Sequence, residues 1–206
     1  MPTKALFWVG TSLEDIRAFP ADARRVAGHQ LHLVQQEIEP ADWKPMPTVG
    51  SGVYELRIRT RLEHRVFYIA KLSEGIYVLH AFEKRTRKTP QADVDLAKTR
   101  RSKNPMSAKI TRSSGNVFRD LGFPASEAAH LLIRSELMIQ LRKIIESRGL
   151  KQAEVARMLR VSQPRVSALM KGRIDLFSVD TLIDMLARAG FKVKVALIKS
   201  SPRKVA

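Results

Sequence analysis

Residues 152–167, Gln-Ala-Glu-Val-Ala-Arg-Met-Leu-Arg-Val-Ser-Gln-Pro-Arg-Val-Ser, constrain the fold more than any other part of this chain. Val155, Leu159, Val161 and Val166 face a common core if the segment is two helices joined by a tight turn. Ala156 is small where the helices must touch. Ser162 stands at the cap position of the second helix, so Gln163, Arg165 and Ser167 project outward from its first turns. Arg160 occupies the turn position that usually takes glycine, and a non-glycine residue at positive φ there costs about 1 kcal/mol.

A helix-turn-helix places its second helix in the DNA major groove. In that frame Gln152 lies at the start of the first helix, beside a backbone phosphate. Gln163 pairs an adenine edge, and Arg165 a guanine edge or a phosphate. Lys171 and Arg173 follow as backbone contacts, and Ser162 and Ser167 flank the readout.

The charge of the whole chain fits such a partner. Its 206 residues carry 37 Lys and Arg against 20 Asp and Glu, a net charge of +17, which favours a polyanion. Residues 1–105 hold 18 basic and 12 acidic side chains, and residues 106–206 hold 19 and 8, so both halves are basic. The absence of cysteine excludes disulfides, zinc ribbons and thiol catalysis. The apolar run at the N-terminus is too short for a signal peptide or a membrane span, so no membrane association and a cytoplasmic location are expected.

Around residues 99–116 the sequence turns polar, basic and rich in serine, with Pro105 and Gly115, as a linker does. We place a first domain at 1–103, a linker at 104–115 and a second domain at 116–206. Met106 lies where a separate reading frame could begin. The eighteen residues of 99–116 span roughly 20–25 Å as a flexible coil, enough for the halves to dock on one another at high effective concentration.

The expected class is α+β. In the first domain a strand at 5–9 precedes helices at 13–19 and 21–38 and a proline-rich loop. Strands at 53–60, 65–70 and 76–82 follow, the last two joined by a hairpin turn at 72–75, and a helix at 91–101 closes an antiparallel sheet. The second domain is mostly helical. A long helix at 124–148 precedes the helix-turn-helix, and a helix over 179–189 is capped by Ser178. The alternating Phe191-Lys-Val-Lys-Val-Ala-Leu-Ile198 predicts a terminal strand. A lone strand needs a partner, so a homodimer pairing two copies is expected.

Candidate chemistry in the first domain is basic. Arg57, Arg59, Arg61 and Arg65 lie on or between two strands, and Lys84, Arg85, Arg87 and Lys88 follow a third. If the strands are neighbours, these clusters converge at one end of the sheet. Such a surface binds a phosphodiester and stabilises charge on a phosphorane-like transition state. His64, His80 and Tyr68 are the nearby acid–base groups; a satisfied sheet histidine is the competing reading of His80, a solvated hairpin tip that of His64, and core packing that of Tyr68. His29 and His32 share a helix face without a third metal ligand. There is no phosphate loop, dinucleotide turn or serine elbow, and no cofactor or metal is expected.

Val53-Tyr-Glu-Leu-Arg-Ile-Arg, Arg65-Val-Phe-Tyr-Ile and His80-Ala-Phe-Glu-Lys-Arg-Thr-Arg-Lys-Thr-Pro90 resemble the RelE/HigB-like toxins of the phage-derived Gp49-like branch. From Asn116 through Ala196, with Ser162-Gln-Pro-Arg-Val-Ser-Ala-Leu-Met-Lys-Gly172 as the most specific piece, the chain is similar to HigA-type antitoxins of the Xre helix-turn-helix class. The resemblance implies that the first domain cleaves mRNA on the ribosome without a metal. It implies that the second neutralises the first and represses its own operon by binding operator DNA. Arg57 and Arg65 then fall at catalytic or substrate-binding positions, and Lys84 or Arg85 at that of a transition-state arginine. Glu55 stands where RelE itself is often basic, and no tyrosine follows the Arg85 cluster, so His64 or His80 would serve as the acid–base group. The alternatives are a regulator whose first domain is a non-catalytic module, and an active ribosome-dependent endoribonuclease with a DNA-binding tail.

Overall fold

A computed structural model describes residues 3–71, 75–102 and 109–196. The first half is built on strands β1 (Leu6–Val9), β2 (Trp43–Pro45), β3 (Val53–Arg59), β4 (Glu63–Lys71) and β5 (Gly75–Glu83). Helices α1 (Ser12–Arg17) and α2 (Ala21–Gln35) follow β1, and α3 (Gln91–Ser102) follows β5. The second half contributes β6 (Ile110–Arg112), α4 (Val117–Asp120), α5 (Ala125–Ser147), α6 (Gln152–Leu159), α7 (Gln163–Met170) and α8 (Val179–Arg188), with a 3-10 turn at Ile174–Leu176.

The strands form one six-stranded sheet in the order β2-β3-β4-β5-β1-β6. It is mixed rather than antiparallel, because β1 pairs parallel to β5 while the other neighbours are antiparallel. Parallel neighbours need a long crossover, and the helices and strands between β1 and β5 provide one. Two elements were not expected. Trp43–Pro45, inside the proline-rich loop, is an edge strand, where a proline is tolerated. Ile110–Arg112, inside the expected linker, pairs with β1 through Phe7↔Arg112 and Val9↔Ile110. The second half thus adds a strand to the sheet of the first. Asn104, Pro105 and Met106 lie outside the described residues, as do residues 72–74 of the expected hairpin turn.

Each face of the sheet carries a core. On one, Val94 and Ala97 of α3 cover Phe67, Leu79 and Phe82. On the other, α2 brings Val26, Leu31 and Val34 against Leu56, Ile58, Val66 and Ile76. This second core runs on without interruption through Phe118, Leu121, Leu131, Leu141, Val155, Val166 and Leu182 to Ala189. Helix α2 is therefore buried on every side from Val26 to Gln35. Its apolar stripe meets the sheet, and its opposite, more polar face meets the second half. Gly28 makes this approach work, since a Cβ there would lie 2.6 Å from Phe118 Cε1.

Polar groups hold the same seam. Arg17 Nε donates to Asp120 O at 2.7 Å, and Arg24 Nη1 to Leu121 O at 2.9 Å. Arg25 pairs with Glu127 at 2.7 Å. His29 and His32, one turn apart on α2, each set Nδ1 against the fully buried Ser135 hydroxyl of α5, at 2.7 and 2.8 Å. A hydroxyl has one proton. It donates to one ring and accepts from the other, so the two neutral histidines hold opposite tautomers. Burial pushes His29 down to about 3, with the charges of His32 and Arg142 adding to the effect, and burial pushes His32 down to about 4.

The expected terminal strand is not formed. Residues 191–196 run without strand pairing and exposed, and Leu197 and Ile198 lie outside the described residues. Alternation alone cannot make a strand without a neighbour to complete the ladder.

Two outcomes test this seam. Gly28→Ala gains up to about 1 kcal/mol of helix propensity but drives a methyl into a ring with nowhere to move, at roughly 1–3 kcal/mol. We expect net destabilisation, with both halves melting in a single transition; separate transitions for the halves would show the seam to be weak. Both histidines have folded pKa values below the unfolded value of about 6.5, so the unfolded chain takes up protons first. Their contribution is complete above about pH 6.5 and lost as pH falls toward 4 and then 3. Denaturant midpoints measured between pH 7.5 and 4.5 should fall in the wild type, and fall less in a His29→Leu/His32→Leu variant.

Candidate nucleic-acid interface

The helix-turn-helix forms as the spacing requires. Val155, Leu159, Val166 and Leu169 are buried between α6 and α7, and Ala156 is half-buried beside them. Arg160 adopts the left-handed conformation at φ 51°, ψ 48°. Its strain is offset by a contact that the sequence did not reveal. Arg188 Nη1 of α8 donates to Leu159 O at 3.0 Å, capping a carbonyl that the helix end leaves unpaired. Ser162 has the backbone of a cap residue but makes no cap bond, contrary to expectation. The reason is local: Pro164 has no N–H, and Arg165 N already donates to Ser162 O at 3.0 Å.

Gln152, Ser162 and Gln163 are exposed, and Ser167 is half-buried. The Arg165 guanidinium lies 4.3 Å over the buried Phe177 ring, a cation–π contact that orders the side chain before any ligand arrives. Lys171 is exposed beyond α7, and Arg173 pairs with Asp175 at 3.3 Å. Beside Gln152, the Glu154 carboxylate accepts the Lys151 N–H at 2.7 Å, so a protein anion already sits at the start of α6.

The basic clusters of the first half do converge at one end of the sheet. Arg57 and Arg65 are register partners on β3 and β4, and Lys84 N donates to Glu63 O at 2.7 Å. The pivot is Glu55, only 1% exposed, whose Oε1 lies 3.1 Å from Arg57 Nε and 3.2 Å from Arg65 Nε. The first is a hydrogen bond; the second is an ion pair without hydrogen-bond alignment. Buried Arg65 also donates to Glu63 Oε2 at 2.7 Å and to His64 O at 2.9 Å. The Lys84 ammonium donates to Thr86 O and Arg87 O, stapling its own loop, and Arg85 stays exposed beside Glu83. Arg57 and Arg59 share Asp42, at 3.7 and 3.2 Å.

The histidines do not join these cations. Neighbouring strand residues point to opposite faces, so His64 lies under the sheet, buried against Phe19 at 4.3 Å rather than solvated at a hairpin tip. Burial pushes its pKa down. His80 has both ring nitrogens engaged, Nδ1 with Asp15 and Nε2 with Asp93, each at 2.8 Å. Burial alone would raise the Asp15 pKa, but hydrogen bonds from His80, Arg100 and Thr11 outweigh it and hold Asp15 low. Tyr68 is buried, and burial pushes its phenol up. No local pattern announces the Asp15–His80–Asp93–Arg100 cluster, whose members come from three elements, α1, β5 and α3. Glu55 and Arg57 were visible as charges two residues apart on β3, but not their buried network with Arg65 of β4. No group of three or more His, Asp or Glu among the described residues is arranged to hold a metal.

Residues 14–102 match the family of phage-derived Gp49-like proteins, and residues 117–198 match a helix-turn-helix domain family. A search of curated proteins found no match to the chain. The protein is a fusion of the toxin–antitoxin type: a toxin-like Gp49 segment joined to a DNA-binding helix-turn-helix. No helix among the described residues is long and apolar enough to cross a membrane.

Replacing Arg160 with glycine removes the left-handed strain while keeping the turn. Arg160→Gly should stabilise the chain by about 1 kcal/mol, read as a higher denaturant midpoint with unchanged m-value. A lower midpoint would mean that the arginine makes a stabilising contact of its own.

Proposed function

We propose that the chain is a self-neutralised toxin–antitoxin regulator whose working activity is operator binding. The second half acts as a HigA-like autorepressor, and the first is a HigB/RelE-like mRNA-cleaving domain held latent, with the ribosome and mRNA as its targets on release. The observation that carries this reading is the burial of α2 between the sheet and the helix-turn-helix half. Occlusion of this kind neutralises a toxin without any further partner. Gln163 and Arg165 read base edges, Gln152, Ser162 and Ser167 flank them, and Lys171 and Arg173 hold phosphates. The protein works in the cytoplasm.

The end of the described chain supports a homodimer. Val193 and Val195 are exposed on an extended segment bordering a groove of about 690 Å3 lined by Ile133, Leu137, Val179 and Ile183. A second copy pairing here supplies the missing strand partner and the two-fold symmetry that palindromic operators need.

For the latent nuclease, Arg57, Arg65, Lys84 and Arg85 are the substrate-binding and transition-state cations, with His64 or His80 as the acid–base group. One observation favours a second reading, a regulator with a non-catalytic first half. Arg65 is buried in ion pairs, His64 faces the core, and both His80 nitrogens are taken.

A gel-shift titration on the gene's own upstream DNA tests the operator reading. Gln163→Ala/Arg165→Ala should lose 10-fold or more at matched salt, since each bidentate base contact is worth about 1–3 kcal/mol; equal binding would sink it. Expressing residues 1–105 separates the two readings of the first half. Growth arrest that is relieved by residues 106–206 or by Arg65→Ala supports a latent toxin. Growth without arrest at verified soluble expression leaves the non-catalytic module.

A further inference from the structure

Between the end of α7 and the outer strands of the sheet lies a cleft of about 430 Å3 with walls from both halves. Arg57 and Arg59 of β3 face it from one side, and Lys171 and Arg173 from the other, with Gln30 and Asp42 also in its walls. The two sides are fixed relative to each other. Gly172, at φ +69°, lets the chain after α7 press against His29 and Gln30 of α2, and Gln30 Nε2 reaches Lys171 O at 3.5 Å.

The cleft is short of anions. Asp42, the one carboxylate in its walls against four cations, pairs with Arg59 and shares Arg57 with Glu55; Glu63 of β4 lies across from Arg59, and Asp175 serves Arg173. Lys171 pairs with no carboxylate among the described residues. Arg59 keeps 59% of its side chain exposed. Guanidinium forks of this kind match the oxygens of a phosphodiester.

Position and lining identify the nucleic acid. Residues just past a recognition helix meet the phosphate strand that borders the groove the helix has entered, and Lys171 and Arg173 are those residues. No aromatic side chain lines the cleft, whereas single strands are held by bases stacking on aromatic rings. We infer that Arg57 and Arg59, on the toxin-like half, bind backbone phosphates of the duplex whose major groove α7 reads. The DNA footprint then spans both halves, and the first half is part of the operator-binding surface. This rests on the operator-binding reading above.

The test uses the full chain and fluorescence anisotropy over a salt series. The probes are a duplex of the gene's own upstream region, an unrelated duplex of equal length, and a single-stranded RNA. Arg59→Ala should weaken both duplexes by a similar factor, about fivefold near 0.15 M salt, and flatten the log K against log salt slope by about 0.9. Arg59→Lys, which keeps the charge, should retain the wild-type slope. Wild-type affinity and slope in Arg59→Ala would overturn the inference while leaving operator binding intact. RNA binding that is tighter than duplex binding and lost in Arg59→Ala would overturn it in favour of a single strand. A wild type that retains neither duplex would overturn the operator reading and this inference together.

Discussion

The structure depends on one helix with two buried faces. A surface helix covers a sheet with one stripe and leaves the other to water. Helix α2 has no such free side: its apolar stripe lies on the sheet, and Gly28, His29 and His32 meet Phe118 and Ser135 of the second half. Removing the second half would expose two histidines whose neutral state depends on burial, and a notch fitted to a phenylalanine ring. The strand β6 adds a ladder along β1, so the seam is closed by backbone pairing as well as by packing. The two halves are distinct in sequence but share one continuous core.

What could be read from the sequence follows from what a local pattern encodes. The helix-turn-helix was legible because its apolar spacing, small contact residue and turn position all fall within 16 residues. The strands β3, β4 and β5 were legible because alternation and apolar runs are local signals. The strand β6 was not: three residues, Ile-Thr-Arg, in a polar basic stretch become a strand only because the edge of β1 is open beside them. The second buried face of α2 was hidden for a related reason. Glycine, histidine and glutamine on a helix read as a solvent face, and only the tertiary partner makes them a core. The terminal segment failed in the opposite sense, since its alternation is clear but its partner is absent from a single chain.

The candidate site divides along the same line. Sequence placed the cations correctly at one end of the sheet, because register on neighbouring strands follows from hairpin connectivity. It could not show which of them are spent. Glu55 draws Arg57 and Arg65 together at its Oε1, and a carboxylate this buried is tolerated only when paired. Arg65 thereby becomes part of the framework, while Arg59 and Arg85 remain turned to solvent. The net charge of +17 is thus not uniform: some of it neutralises buried acids, and the remainder sits where a polyanion can reach it.

On the proposed reading, joining inhibitor and target in one chain changes the physics of release. Two separate proteins part when either is diluted or degraded. Here separation would open the core from Leu31 to Leu182 and unpair β6, so it is a partial unfolding rather than a dissociation. Its free energy does not depend on protein concentration. A latent activity in the first half would therefore answer to conditions that strain the seam, and acid is one that the geometry supplies, through two histidines sharing one hydroxyl. The same rigidity also fixes Arg57 and Arg59 beside Lys171 and Arg173. A core continuous across both halves and a shared basic cleft are two consequences of one buried helix.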